Sequence, residues 1–185
     1  NNKILNKFKV KNCESIRKKI KIKNIKSIVG FHTRNAPHKS HEWIHKYGIT
    51  KCKNILLNPM VFQYKKGEFK ESIIRKTYKK LVEIKKNNNV LLEFSFNYPR
   101  YAGPREALFH AVTRKNFGCT HFLVGRDHAG VKQYYKKYAS QKLSKKFEKK
   151  IGIKIITFKE PYFCSSSKTY SNVYKESFCQ KSKRI

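Results

Sequence analysis

The chain has little acid. Eleven Asp and Glu stand against 44 Lys and Arg in 185 residues, a formal net charge of +33. Such an excess points first to a polyanion partner. The features of a dedicated nucleic-acid binder are nevertheless missing, with no arginine-rich block and no basic-aromatic repeat. The lysines are spread over every segment, including helices where they take the solvated face. What remains is non-specific, salt-sensitive adhesion to polyanions. Apolar runs of membrane-spanning length are absent, and Asn1-Asn2-Lys3-Ile4 shows no signal-peptide pattern. Paired cysteines are absent as well: Cys13, Cys52, Cys119, Cys164 and Cys179 are odd in number, widely spaced and without a C-x-x-C. A reduced, cytoplasmic setting is the expectation. There is no internal repeat. The missing initiator Met suggests a piece of something longer.

What is present is enough apolar material for a core, with 39% hydrophobic residues and 13 Phe. Short apolar runs alternate with helical patterns. Strands are expected at Ser27 to Phe31, Asn54 to Leu57, Val90 to Phe96, Thr120 to Val124 and Lys154 to Phe158, with helices at about 38 to 47, 70 to 86, 104 to 117 and 131 to 149. The second helix places Ile74, Tyr78, Leu81 and Ile84 on one side. Pro104, followed by Glu106 in the first turn, marks the start of the third. This alternation predicts an α/β fold, a doubly wound, Rossmann-like parallel sheet of five strands in the order 3-2-1-4-5. Residues 1 to 26 read as a lead-in or linker, 27 to 160 as the working domain, and 161 to 185 as a peripheral tail rich in Lys and Ser.

In such a sheet ligands bind at the carboxyl ends of the strands on either side of the switch point, here the first and fourth. The first ends in His32-Thr33-Arg34-Asn35, the fourth in Gly125-Arg126-Asp127-His128-Ala129-Gly130. Arg34 and Arg126 have planar forks suited to tetrahedral oxyanions; surface solvation is the alternative. His38 and His41, three apart at a helix start, share a face and suit phosphate oxygens there. A pair of surface histidines is the plainer reading of H-x-x-H alone. Asp127 and His128 either meet a nucleotide or cap a turn. Arg105 and Glu106 either line the crevice or pair with one another. His110 and Arg114 read as packing and surface residues, and Cys119 as a small core residue.

Three segments, in order, resemble the ATP sulfurylase family of sulfate adenylyltransferases: Thr33-Arg34-Asn35 with Pro37-His38 and His41-Glu42; Arg100-Tyr101-Ala102-Gly103-Pro104-Arg105-Glu106-Ala107; and Arg114 to Phe122 running into Gly125 to Gly130. Leu57 to Val61 and Lys65-Lys66-Gly67-Glu68-Phe69 are weaker matches. The resemblance covers roughly residues 27 to 163 and implies a nucleotidyltransferase joining ATP and sulfate into adenylyl sulfate and pyrophosphate, or running in reverse. By residue it implies catalytic roles for Thr33, Arg34, Asn35, His38 and His41. It implies ATP contacts from His32, Arg34, Asn35, Gly125, Arg126, Asp127 and His128, and sulfate contacts from His32, Arg34 and the Ala129 backbone. Magnesium would arrive with ATP.

The sequence departs from that family at three places. His32 stands where the family carries Gln, Ser40 where it carries Gly, and Ser167 where many bacterial members have the second cysteine of a zinc site, so no zinc is expected. The family's N-terminal PUA-like domain is not among the 185 residues. Rival readings are a related nucleotidyltransferase with another acceptor and an impaired fragment acting as a binding module. Oligomeric state, homo-oligomer included, is left open.

Overall fold

A computed structural model describes residues 2–61, 67–86, 88–164, 168–171 and 182–184. Lys65, Lys66, Ser167 and Cys179 lie outside the described residues. The elements are α1 (Asn2–Lys7), α2 (Cys13–Ile22), β1 (Ile28–Thr33), α3 (Lys39–Cys52), β2 (Asn54–Val61), α4 (Glu71–Lys85), β3 (Val90–Leu92), β4 (Ser95–Phe96), α5 (Pro104–Asn116), β5 (His121–Val124), α6 (Ala139–Ile151), β6 (Lys154–Thr157), β7 (Tyr162–Cys164), β8 (Thr169–Ser171) and β9 (Ser182–Arg184). The main sheet is parallel and runs β3-β2-β1-β5-β6, with β4 also paired to β2. This is the expected doubly wound order, and the switch point falls between β1 and β5.

Both faces of the sheet are covered, so its strands read as nearly continuous apolar runs. Side chains alternate across the sheet. Val29, Phe31, Ile55, Leu57 and Leu123 join one buried cluster with Ile74 and Tyr78 of α4. Ile28, Leu56, Phe122 and Val124 join the other, with Ala111 of α5 and Ile16 and Ile20 of α2. The expected lead-in over 1 to 26 is therefore partly core. Asn12 caps α2 by accepting from the Ser15 N–H at 2.8 Å, and the i, i+4 pair Ile16 and Ile20 is buried.

The expected strand from 90 to 96 is broken between Leu92 and Ser95. Pro59 on the neighbouring strand has no N–H to give the ladder, and the Asn58 side chain donates to the Glu93 carbonyl at 2.5 Å instead. The helix expected to stop near 47 runs on to Cys52, because Gly48 lets α3 close on the sheet. A Cβ there would lie 3.0 Å from Leu123 and 3.1 Å from Val29. The helix expected from 131 begins only at Ala139. Lys132 and Tyr138 have positive φ, and the Tyr138 N–H donates to the Arg126 carbonyl at 2.9 Å, folding this stretch back as a loop. The expected tail contributes a small antiparallel sheet in the order β8-β7-β9. Cys164 is disulfide-bonded, against the expectation of reduced thiols, while Cys13, Cys52 and Cys119 are free.

One glycine of β1 admits an arginine of α5 against the strand. Ile28, Gly30 and His32 point to the α5 side, and a Cβ at Gly30 would lie 2.7 Å from Cγ of Arg114. Gly30→Ala is expected to destabilise the fold by about 1–3 kcal/mol through overpacking, read as a lower urea midpoint at constant m. An unchanged midpoint would mean that α5 shifts freely.

Candidate active site

At the carboxyl ends of β1 and β5 the protein opens into three adjoining pockets. The first, about 170 Å3, is lined by His32, Thr33, Arg34, Asn35, Glu106, His110, Asp127, His128, Ala129 and Gly130, among others. A second, about 160 Å3, shares His32, Asp127 and His128 with it and adds His41 and Gly125. The third, about 200 Å3, continues along His38, Ser40, His41, Arg126 and Asp127. All the catalytic and binding residues that the family resemblance implies thus line one continuous cleft, with Arg34 and Ala129 towards one end and His38 and Arg126 towards the other.

The cleft is assembled from three loops that brace one another. Thr33 turns the chain out of β1, its hydroxyl accepting from the Asn35 N–H at 3.1 Å. The Arg34 guanidinium lies 4.4 Å from the centre of the Tyr101 ring. Glu106 does not pair with Arg105; its carboxylate accepts the N–H groups of Arg100 and Ala102, each at 3.0 Å, and so shapes the loop entering α5. The Gly103 N–H then donates to the Ala129 carbonyl at 2.9 Å, joining that loop to the one after β5. Gly130 lets the latter close, since a Cβ there would sit 1.9 Å from Oδ1 of Asp127. Arg126 Nη1 donates to Glu160 Oε1 at 2.6 Å. The first turn of α6 fastens the same edge: Ser140 donates to the His128 carbonyl, and Gln141 Nε2 to the carbonyls of Val124 and Phe158.

Two groups of histidine rings crowd the cleft. At the start of α3, the N-cap His38 and His41 stack with centroids 3.8 Å apart, and the Ser40 hydroxyl holds His38 Nδ1 at 2.7 Å. Ser40 thus orients the first ring. Across the switch point His32 lies 3.9 Å from His110, and His110 Nδ1 meets His128 Nε2 at 3.1 Å. Burial keeps these rings neutral. It holds His41 down to about 3, helped by His38, and His128 down to about 3, helped by Arg114. Burial first, then Arg114 and the neighbouring rings, lowers His32 well below the ordinary imidazole value. His110 is lowered by burial, His128, Arg114 and Arg100. The cations of the cleft are therefore its arginines.

Arg114 is not the surface residue expected, and His110, buried and packed against His32 and His128, does more than pack. His110 lines the cleft. Arg114 is 1% exposed, directly behind it, donating to Asn58 Oδ1 at 2.6 Å and contacting His32 Nδ1. Among the described residues no carboxylate is a hydrogen-bond partner of Arg114. Set between Thr113 and Lys115 on α5, it carries no apolar signature, and the mid-strand glycine at position 30 is the sequence signal that marks its approach.

The ATP-sulfurylase family model matches residues 9–185. The chain belongs to the ATP-sulfurylase family. It is similar to the sulfate adenylyltransferases of Thermococcus onnurineus, at 43% identity over 140 residues, which is 75% of this chain and 37% of that protein, and of Trichodesmium erythraeum, at 40% over 161 residues, 86% and 41%. The chain spans about two fifths of the length of these relatives. A hexameric APS kinase from Thiobacillus denitrificans shares the fold at TM-score 0.68 and 17% identity, over 95% of this chain and 33% of that one. Among the described residues of this ATP-sulfurylase-family chain, no helix is long and apolar enough to cross a membrane.

Proposed function

We propose that the chain carries the adenylyl-transfer site of a sulfate adenylyltransferase, converting MgATP and sulfate into adenylyl sulfate and pyrophosphate, or the reverse. The observation that carries this reading is the meeting of the Arg34 strand end and the Gly125 to Gly130 loop in one cleft, in a chain of this family. Sulfate sits at the Arg34 end, against the Ala129 backbone and His32. ATP extends past Asn35, Gly125, Asp127 and His128 towards Arg126, His38 and His41. A sulfate oxygen attacks the α-phosphorus in line, and pyrophosphate leaves towards the amino-terminal end of α3, whose free N–H groups and neutral imidazoles donate to its oxygens.

Positioning and charge stabilisation supply the rate in such a transfer. Two of the three carboxylates that line the cleft, Glu106 and Glu160 but not Asp127, are already engaged. Glu106 holds backbone N–H groups and Glu160 holds Arg126, so neither is free to act as a base. Sulfate, fully ionised at neutral pH, needs none. Among the described residues no three His, Cys, Asp or Glu side chains form a metal-holding group, and magnesium enters as part of MgATP, on phosphate oxygens and water. The catalytic unit runs over 27 to 160 with α2 as its support. The expected result is exchange of labelled pyrophosphate into ATP that depends on sulfate. Folded full-length protein showing no exchange, or exchange indifferent to sulfate, would overturn the reading.

A further inference from the structure

We propose that Arg114 is a positioning residue that fixes the tautomer of His32, so that His32 presents a single N–H donor, on Nε2, to the oxyanion end of the cleft. A guanidinium's polar hydrogens all donate, and it accepts nothing. Arg114 Nη2 faces His32 Nδ1, so Nδ1 has to accept and the ring proton has to sit on Nε2. Nε2 is not among the buried unpartnered atoms, and His32 lines two of the pockets. That nitrogen is the one left to the cleft.

The surroundings hold the arrangement in place. Arg114 cannot swing away, because it threads over Gly30 with 2.7 Å to an added Cβ and donates to Asn58 Oδ1. Asn58 cannot flip to offer its amide nitrogen, because its Nδ2 already donates to the Glu93 carbonyl. The Glu93 side chain is in turn held by Lys19 of α2 at 2.6 Å, which steadies the residue that supplies this carbonyl. On its other side the His32 ring rests against His110 at 3.9 Å, with His128 at 6.1 Å. The Asn58 backbone carbonyl is the neighbour that favours a second proton on the ring, and burial, Arg114, His110 and His128 all oppose it. Burial and the Arg114 cation keep the ring neutral, and the Arg114 contact selects Nδ1 as the acceptor and Nε2 as the donor.

The consequence, which rests on the proposed function, is a polarity rule at position 32: acceptor backward, donor forward. A carboxamide can obey it and an aliphatic side chain cannot. His32→Leu is therefore expected to raise the KM for sulfate about tenfold, the effect of one lost hydrogen bond to a charged group. His32→Gln is expected to recover most of that loss.

The direct test is the long-range 1H–15N spectrum of histidine-labelled, ligand-free protein at neutral pH, with the His32 signal assigned by its disappearance in His32→Gln. The wild type is expected to show the Nε2–H pattern, and Arg114→Met a mixture of tautomers. An Nδ1–H or imidazolium pattern in the wild type overturns the proposal whether or not Arg114→Met folds. Equal sulfate KM values in His32→Leu and His32→Gln overturn it as well. An Nε2–H pattern in a protein without sulfate-dependent exchange upholds the lock and strikes the functional reading, so the two failures are told apart.

Discussion

Arg34→Ala is expected to lower kcat/KM for sulfate-dependent adenylyl transfer by about a thousandfold, roughly 4 kcal/mol of transition-state stabilisation, while leaving the melting temperature almost unmoved. The side chain stands at the carboxyl end of β1, outside the strand ladder. Its contact within the fold is the Tyr101 face at 4.4 Å, worth about 0.5–1 kcal/mol where water has access. Its fork faces a cleft whose histidines are neutral, and the neighbouring guanidiniums are held elsewhere, Arg126 on Glu160 and Arg114 on Asn58 behind the cleft. Arg126→Ala is expected to cost less, about ten- to a hundredfold, because Glu160 at 2.6 Å already offsets part of its charge. Steady-state kinetics paired with thermal melts decide both. Arg34→Ala keeping more than about a tenth of wild-type activity would place the oxyanion elsewhere.

The second large effect is acid instability. His32, His41, His45, His110 and His128 are all held below the ordinary imidazole value of 6.5, by burial first in every case. The unfolded chain binds protons at these positions near pH 6.5, whereas the folded protein resists until far lower pH. The unfolded state thus carries more protons, and stability is complete above about 6.5 and lost as pH falls below it towards about 3, where His41 and His128 titrate in the fold. Each ring contributes up to about 1.4 kcal/mol per pH unit, so five together can cancel a total of about 5–15 kcal/mol within roughly two units. Urea midpoints are expected to hold between about pH 8 and 7 and to fall steeply between about 6 and 5. His45→Phe should shallow that fall, since neither nitrogen of His45 has a hydrogen-bond partner. A midpoint flat down to about pH 5 would show the rings to be solvated.

The sheet order and the location of the cleft are legible in the sequence because they rest on strong local signals, apolar runs of strand length and polar residues clustered at strand ends. The bracing beneath the cleft is not. Arg114 sits beside Lys115 near the end of a helix of weak amphipathicity, and nothing in the spacing separates a guanidinium that faces water from one that crosses a glycine into the core. The same holds for α2, where Ile16 and Ile20 are two apolar residues in a lysine-rich stretch, too few for periodicity to stand out. The start of α6 escapes the sequence because Lys132 and Tyr138 adopt positive φ, which neither residue type announces. Ser40, a departure from the Gly of the resembled family, is the hydroxyl that holds the His38 ring.

Most of the charge on this molecule is exposed lysine, and mobile counterions dilute its field over about 8 Å at physiological ionic strength. Arg114 is different, because it is sealed at 1% exposure behind the cleft and no counterion can approach it. Its field reaches the cleft through low-dielectric protein and persists when salt is added. The molecule thus carries two kinds of attraction for anions. A diffuse halo, indifferent to shape, fades with ionic strength, and a fixed potential at one end of the sheet does not. Salt strips the first and leaves the second, so the anions that stay are those small enough to enter the cleft.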